Sequence, residues 1–206
     1  MRARIILFFN KKQRGYYAVD HVSSMPQNEL RNIIQLPGTA ETIPLDNDFA
    51  DIVICNQVIE HLLNPLLVFK EISRILKPGG LFVGSAPHIS PIYLEPHDYW
   101  RFTEYGIKSL LLKSNFENIC VNGNGGALRA VALLIAMDVL LSRIKEGSSQ
   151  IFHVKCAMIL FPLIGLISFT FHVLDRLIPD KKRSSANLCW IAAKPATGFV
   201  LAESGI

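Results

Sequence analysis

Residues 51–88, DIVICNQVIEHLLNPLLVFKEISRILKPGGLFVGSAPH, form the stretch of sequence that decides the fold class. It opens with a short apolar run, Ile52–Cys55, which is typical of a strand buried on both faces. From Pro65 to Leu76 the apolar residues then recur at helical spacing. Lys77-Pro78-Gly79-Gly80 predicts the end of that helix, and Leu81–Val83 predicts the next strand.

The same alternation of strands and helices continues on both sides of this stretch. Short strands are predicted at Tyr16–Val19, Ile33–Leu36, Phe116–Val121 and Asn187–Ala193. Strands that alternate with helices indicate parallel units and an open α/β sheet. Ligands bind such sheets outside the carboxyl ends of the strands. The polar residues that directly follow the first apolar run are therefore expected at a site: Asn56, Gln57, Glu60 and His61.

Length and composition limit the classes of protein that remain. The 206 residues suffice for one domain with an appendage, and the mean hydropathy of +0.30 is high for a soluble domain. The net charge of +4 comes from few basic residues without interleaved aromatics, so no nucleic-acid partner is predicted. The four cysteines lack metal-ligand spacing, and we predict reduced thiols, no metal site and a cytoplasmic location. Ile5–Phe9 is too short for a signal peptide.

A hydrophobic insert is predicted before the last strand. We divide the chain into an α/β core (1–126), a helical insert (127–186), a last core strand (187–195) and a loose tail (196–206). Within the insert, Cys156–Leu174 carries no formal charge over 19 residues, a length that suits a membrane-spanning helix. Pro162 and Gly165 interrupt it. Three interpretations stay open: a spanning helix, a hairpin dipping into one leaflet, and an insert folded on the domain. The oligomeric state is not determined.

Four motifs in fixed order carry a resemblance to a known family. Asp20 ends a strand, GTAETIP follows at 38–44, DIVICNQVIEHL at 51–62 and RILKPGG at 74–80. This order resembles class I S-adenosylmethionine-dependent methyltransferases of the methyltransferase type 11-like kind. The likeness extends from about Tyr16 to Phe116, with NLCWIAAKP as the last strand. It implies S-adenosyl-L-methionine as cofactor and an open, mostly parallel Rossmann-like methyltransferase sheet of seven strands with a reversed last hairpin.

The resemblance also implies roles for residues at the carboxyl ends of the strands. It assigns cofactor-binding positions as follows: Asp20 to the ribose, Thr39, Ala40 and Glu41 to the adenine, and Asn56 and Gln57 to the methionine end. A carboxylate at the end of a strand can accept hydrogen bonds from two vicinal hydroxyls. His61 is a candidate base, with the start of a helix as the alternative. For Asp20 and for the Thr39–Glu41 stretch, an ordinary turn or loop is the alternative.

One motif of the resembling family is missing from the sequence. Its glycine-rich turn after the first strand has no counterpart before Asp20, where Gly15 is the sole glycine. Residues 1–15 look like the end of a helix that would follow that turn, or like a substitute strand. Two classes of function therefore remain: an active methyltransferase, and a non-catalytic methyltransferase-like domain that binds a membrane or a partner.

The loop sequence EPHDYWRFT, residues 95–103, is the predicted acceptor site. It resembles a subgroup of the family that acts on glycans or glycolipids. The residues offer three kinds of chemistry: His97 and Asp98 as acid/base groups, Tyr99 and Trp100 as flat faces, and Arg101 as a partner for phosphate or carboxylate. A glycan, a lipid-linked molecule or another small molecule is the predicted acceptor. The alternative is a lid whose aromatic residues only pack. Thr103 is predicted to cap the following helix.

Overall fold

The computed structural model describes residues 5–12, 15–20, 33–132, 134–135, 165–166, 169–171, 173–174 and 184–196. Seven strands form one sheet in the described part of the chain, and the helices α1 and α2 and a 3-10 turn lie between its strands. In chain order the elements are β1 (Ile5–Asn10), β2 (Gly15–Asp20), β3 (Ile33–Pro37), β4 (Ala50–Asn56), the 3-10 turn (Ile59–His61), α1 (Pro65–Ile75), β5 (Leu76–Pro87), α2 (Glu104–Lys113), β6 (Glu117–Asn124) and β7 (Asn187–Ala193).

The strand order in the sheet is β3-β2-β1-β4-β5-β7-β6. β2 pairs with β3, and β4 with β5, in parallel, whereas β7 runs antiparallel between β5 and β6. β1 is antiparallel to both β2 and β4. It follows that β2, β3, β4, β5 and β6 point one way while β1 and β7 point the other. The predicted open, Rossmann-like α/β sheet with a reversed last strand is confirmed. The sheet is not mostly parallel in its pairing, because β1 and β7 each run opposite to both of their neighbours and make four of the six pairings antiparallel.

β1 resolves the ambiguity at the amino terminus, because the segment is a substitute strand rather than a helix end. Ile5 pairs with Asp20, and Asn10 pairs with Gly15, so β1 and β2 form an antiparallel hairpin. On its other side β1 pairs with β4, from Ile6 opposite Cys55 to Phe9 opposite Ile52. The strand thereby joins the two parallel halves of the sheet at its centre, and no gap opens there.

Both helices pack on the same face of the sheet. Their apolar side chains form the core with the inward residues of β4, β5 and β7: Val53, Cys55, Val68, Phe69, Ile72, Ile75, Phe82, Ile107, Leu111, Leu188 and Trp190. Asn64 caps α1 ahead of Pro65, and Thr103 caps α2 by accepting a bond of 3.0 Å from the Gly106 N–H. The predicted Thr103 cap is confirmed.

The junction between α1 and β5 differs from the prediction. The helix ends at Ile75, and β5 begins at once with Leu76, so the Lys77–Gly80 segment lies inside the strand instead of forming a separate turn. The pairing of β4 with β5 is irregular between Ala50 and Ile52, and Gly79 has a φ of 76°. Glycine takes this conformation without the steric strain of a side chain, which suits the irregular pairing of β5 with β4 at this point.

The predicted insert and tail lie largely outside the described residues. Residues 127–132 are helical, and β7 confirms the last core strand at Asn187–Ala193. Among the described residues, no helix combines the length and the apolar character that crossing a membrane requires. Most of Cys156–Leu174 lies outside the described part, and the three interpretations of the insert therefore stay open. Cys55, Cys120 and Cys189 carry free thiols.

Candidate active site

The carboxyl ends of the parallel strands meet at one edge of the sheet. Asp20 ends β2, opposite Pro37 at the end of β3, and Asn56 ends β4 opposite Ser85 of β5. Because β1 is reversed, its amino end, Ile5, lies at this edge. The hairpin that contains Gly15 lies at the other edge, so this glycine is far along the strand from the ends where a cofactor turn would be needed.

The predicted adenine stretch forms a tight turn just after β3. Thr42 N–H donates to the Thr39 carbonyl at 3.1 Å, which closes the turn around Ala40 and Glu41. Arg74 of α1 binds the segment that follows this turn, residues 43–47. Arg74 donates to the carbonyls of Ile43 and Leu45 and to side-chain oxygens of two neighbours, Asn47 and Glu71. This anchoring fixes the chain just beyond the Thr39–Glu41 turn.

Asn56 and Gln57 lie together in a small polar network. Ser85 Oγ donates to Asn56 Oδ1 at 2.5 Å, and Gln57 Nε2 donates to Ser85 Oγ at 3.0 Å and to Asn187 Oδ1 at 3.4 Å. Gln57 has a φ of 54°, a left-handed conformation that is unusual for a residue with a side chain. Strained backbone of this kind persists where surrounding bonds hold it, and it is frequent at functional sites.

Beyond Gln57, Glu60 and His61 are buried rather than exposed to a ligand. Glu60 is 0% exposed and accepts a short hydrogen bond from the Tyr93 hydroxyl through Oε1. His61 Nδ1 lies 2.6 Å from the carbonyl of His97, and its Nε2 lies 3.6 Å from Glu60 Oε1. Since a carbonyl can only accept, Nδ1 carries the proton. This geometry supports a structural role for His61 more than a role as base.

Asp98 and Arg101 hold the loop of residues 88–103, which we call the aromatic loop. Arg101 donates through both terminal nitrogens to the two oxygens of Asp98, at 2.7 Å each. Its remaining N–H groups donate to the carbonyls of Ser90, Pro91 and Trp100. All five donors of the guanidinium are thus used inside the loop. Burial opposes the charge of Asp98, but the bonds from Arg101 and from the Tyr93 N–H outweigh burial and hold its pKa below the ordinary value.

The other predicted loop residues remain accessible. Tyr99 and Trp100 are 41% and 42% exposed, and His97 is exposed beside them with Nδ1 at 3.1 Å from the Tyr99 hydroxyl. Trp100 stacks on Phe102 at 6.3 Å between ring centroids, and its Nε1 donates to the Leu62 carbonyl at 2.7 Å. These bonds hold one aromatic face in a fixed position while leaving the other side open.

A shallow groove of about 600 Å³ lies on the sheet face opposite the helices. Apolar side chains of the central strands line it, and Asn56 and Ser85 lie at its polar end. Ile54 and Ile191, both 42% exposed, lie in its floor. The groove therefore adjoins the Asn56–Gln57 network and offers apolar surface next to the carboxyl edge.

Sequence reasoning missed several residues of this region. Ser85 and Asn187 complete the network of Asn56 and Gln57, and Tyr93 links Glu60 to the aromatic loop. A parallel pairing of β4 with the strand that follows it would have placed Ser85 beside Asn56. Nothing local in the sequence indicates that Asn187, 130 residues from Gln57, would join them.

Comparison with known proteins agrees with this geometry. Residues 6–84 match the model of a family described as methyltransferase domain. A malonyl-acyl-carrier-protein O-methyltransferase from Marinomonas sp. (strain MWYL1) is 32% identical over 99 residues, which cover 45% of this chain and 37% of that protein. A second relative, from Mycolicibacterium smegmatis (strain ATCC 700084 / mc(2)155), is named probable S-adenosylmethionine-dependent methyltransferase. It is 39% identical over 51 residues, which cover 25% of this chain and 20% of that protein. The chain thus spans well under half of these curated relatives.

A solved structure shows the same fold. The crystal structure of the cyclase SpnF superposes with a TM-score of 0.51 at 15% identity, over 81% of this chain and 57% of that one, which shows the fold alone. Together, sheet order, family match and relatives support the fold of a class I S-adenosylmethionine-dependent methyltransferase for this chain. Within that class, residues 6–84 are the part that matches the methyltransferase domain family, and the sequence resemblance is confirmed.

S-Adenosylmethionine is the cofactor of this class, and the described residues fit one half of it. A carboxylate residue ends β2, and a tight turn follows β3 at the same edge, which suits a ribose and an adenine. At the place where a glycine turn would follow the central strand, β1 instead presents its amino end. Among the described residues, Asn56 and Gln57 are the residues at this edge for which the resemblance predicts contact with the amino-acid half.

Proposed function

We propose that this chain transfers a methyl group from S-adenosylmethionine to a hydroxylated small molecule with a sugar-like or flat face. The observation that carries the proposal is the aromatic loop, which holds Tyr99 and Trp100 exposed beside the carboxyl ends of β4 and β5. Residues on loops over a rigid sheet are well placed to bind substrates. An acceptor that is a glycan or carries a lipid fits both the aromatic faces and the apolar groove.

The proposed roles follow from what each side chain is free to do. Asp20 and the Thr39–Glu41 turn hold the nucleoside, and Asn56 and Gln57 lie at the methionine end. When bound, the cofactor supplies an electrophilic methyl group on a sulfonium. His97 is the exposed imidazole of the loop, and a bound hydroxyl can give up its proton there, because no described residue bonds its Nε2.

Arg101 and Asp98 receive positioning roles in this proposal. A guanidinium with all five donors engaged within the loop has none to offer an acceptor phosphate or carboxylate. The side chain of Asp98 is fully buried and paired with Arg101, which makes Asp98 a poor proton acceptor. The two residues therefore support Tyr99 and Trp100 instead of contacting the acceptor or its proton.

Reversed strand β1 favours a second candidate, a methyltransferase-like domain without turnover. Its amino end occupies the position where the family's glycine turn would approach the cofactor. In that case the aromatic loop binds a ligand or partner, and no methyl group is transferred. Binding of the cofactor separates the two candidates.

Titration calorimetry with S-adenosylmethionine tests the cofactor site. We expect wild-type protein to bind, and Asp20→Ala to weaken binding by about 10- to 150-fold, the equivalent of charge-assisted hydrogen bonds of about 1.5–3 kcal/mol. Glu117→Ala is the matched control, since this exposed carboxylate begins β6 at the opposite edge of the sheet. Equal affinity of the Asp20→Ala and wild-type proteins rejects the ribose role. If wild type does not bind the cofactor, the second candidate is the correct one.

Trp100→Ala tests the acceptor site. Release of S-adenosylhomocysteine is measured with a panel of free sugars, glycolipids and lipid-linked saccharides. We expect kcat/KM for the responding acceptor to fall about tenfold or more, because a stacking face of about 1–2 kcal/mol is removed, while cofactor affinity stays unchanged. Tyr105→Ala on α2 removes an aromatic ring that is 79% exposed outside the loop and should have no effect. A loss of cofactor binding in Trp100→Ala would contradict the assignment.

A further inference from the structure

The side chain of Glu60 lies fully buried beneath the aromatic loop. Oε1 accepts from the Tyr93 hydroxyl, whereas Oε2 is buried without a hydrogen-bond partner among the described residues. The nearby guanidinium of Arg101 is already paired with Asp98. His61 Nε2 lies 3.6 Å from Oε1, beyond hydrogen-bond distance. A buried carboxylate with no cation in hydrogen-bond contact and with one oxygen left without a partner is strongly disfavoured, so this environment favours the neutral acid.

The main chain of Glu60 holds the same loop at a second place. Its carbonyl oxygen accepts from the N–H of Tyr99 at 2.8 Å and from the N–H of Trp100 at 3.2 Å. The side chain reaches Tyr93 near the beginning of the loop, and the carbonyl reaches the two exposed aromatic residues near its end. One residue therefore ties both parts of the loop to the segment that follows β4.

We propose that Glu60 is a positioning residue, kept as a neutral carboxylic acid, that fixes Tyr99 and Trp100 in their place over the carboxyl end of β4. Only the claim that these aromatic residues bind an acceptor rests on the proposed function. The position of the loop and the protonation of Glu60 can be measured without any methyl transfer.

The charges around Glu60 give the proposal a pH dependence with a defined sign. Tyr93, Asp98 and Arg101 face it from the loop, His61 lies beside it, and Cys55 faces it from β4. Burial raises the pKa of Glu60 above its ordinary 4.5, more than the bond from Tyr93 lowers it. The folded protein therefore binds this proton more tightly than the unfolded chain. The stability that neutral Glu60 contributes is complete below 4.5 and is lost as pH rises through the folded pKa.

Hydrogen exchange of the Tyr99 and Trp100 amides tests the position of the loop. Protection, corrected for intrinsic exchange, is measured from about pH 5 to 9. We expect wild-type protection to fall as pH rises. Glu60→Gln, which mimics the neutral acid, should keep the protection at all these pH values, and Glu60→Ala should lose it throughout. Tyr93→Phe, which removes only the hydroxyl, should lose part of it. Glu117→Gln is the control and should follow wild type.

Infrared spectroscopy tests the proton directly. Wild type should show a protonated-carboxyl band that persists above the pH at which an ordinary glutamic acid ionises, and this band should be absent in Glu60→Gln. The proposal is overturned if wild type lacks this band, or if Glu60→Gln loses amide protection as fully as Glu60→Ala. Should Glu60→Ala not fold, Tyr93→Phe and Glu60→Gln still decide the outcome, because full protection in Tyr93→Phe would show that the side-chain link does not hold the loop.

The kinetic measurement links the position of the loop to catalysis. With a responding acceptor, Glu60→Gln should keep wild-type parameters. Tyr93→Phe should raise the acceptor KM by up to about tenfold with cofactor affinity unchanged, since one hydrogen bond of about 0.5–1.5 kcal/mol is lost. If no acceptor is methylated by any variant, the proposed function fails, while hydrogen exchange and the infrared band still decide the role of Glu60.

Discussion

Replacing Trp190 by alanine is expected to lower the free energy of unfolding by about 3–5 kcal/mol, the loss typical of a large aromatic removed from a core. Trp190 is 2% exposed in β7. Its ring stacks on Phe69 of α1 at 6.0 Å and meets Phe82 of β5 edge-on at 5.7 Å. It therefore joins the helix layer to two strands. Urea unfolding followed by circular dichroism gives the change in stability, with an unchanged m-value as the check for two-state behaviour.

Gly84 explains why this ring fits and provides a matched double mutant. A Cβ at Gly84, directly opposite Trp190, would overlap Cζ2 of the indole and lie 2.9 Å from the Cys55 carbonyl. Gly84→Ala alone should lower the free energy of unfolding by about 1–3 kcal/mol, because the added methyl group overpacks the core. The losses should be less than additive in the double mutant, because the indole clash is gone. Ile191 is the half-exposed neighbour of Trp190, and Ile191→Ala should lower the free energy of unfolding less than Trp190→Ala or Gly84→Ala does. Strict additivity would contradict this packing.

Replacing Arg101 by alanine is expected to unfold the aromatic loop while the sheet stays intact. The substitution leaves the Asp98 carboxylate, whose side chain is 0% exposed, without its guanidinium. Breaking a buried pair in this way typically costs about 3–5 kcal/mol. Arg101→Lys should not restore the loop, because an ammonium cannot reproduce the paired bonds or reach three carbonyls together. Hydrogen exchange of the loop amides, measured beside those of β4, separates local from global loss.

Lys108→Ala is the control for this charge pair. It breaks the exposed ion pair with Glu104 on α2, a kind of interaction that contributes little to stability, and the loop should remain protected. The Arg101–Asp98 contribution also has a defined pH dependence. The pKa of Asp98 in the folded protein lies below its ordinary 3.8. The stability that the pair contributes is therefore complete above pH 3.8 and is lost as the pH falls through the folded pKa. A loop equally ordered in Arg101→Ala and Lys108→Ala would show that the pair does not hold it.

The two halves of the candidate site were predictable to different degrees. The rule that sites lie at carboxyl ends selected Asn56. The family resemblance selected Asp20 and the Thr39–Glu41 stretch, which also follow apolar runs. Their roles stay predictions. In the aromatic loop, residue types suggested chemistry for Asp98 and Arg101, whereas their contacts assign both to holding the loop. Which donors of a side chain remain free depends on the bonds that it makes, and residue type alone does not determine those bonds.

Local pattern determined the strand–helix alternation, the last strand and the Thr103 cap, because periodicity and capping depend on neighbours within a few residues. Two features were decided by the tertiary structure alone. The direction of β1 depends on pairing with both β2 and β4, and an apolar strand carries the same pattern in either direction. The burial of Glu60 depends on a loop that begins 28 residues later and folds back over it. The sequence pattern of a polar residue after a strand is the same whether the residue is exposed to solvent or buried under a loop. Only long-range contacts distinguish the exposed residue from the buried one.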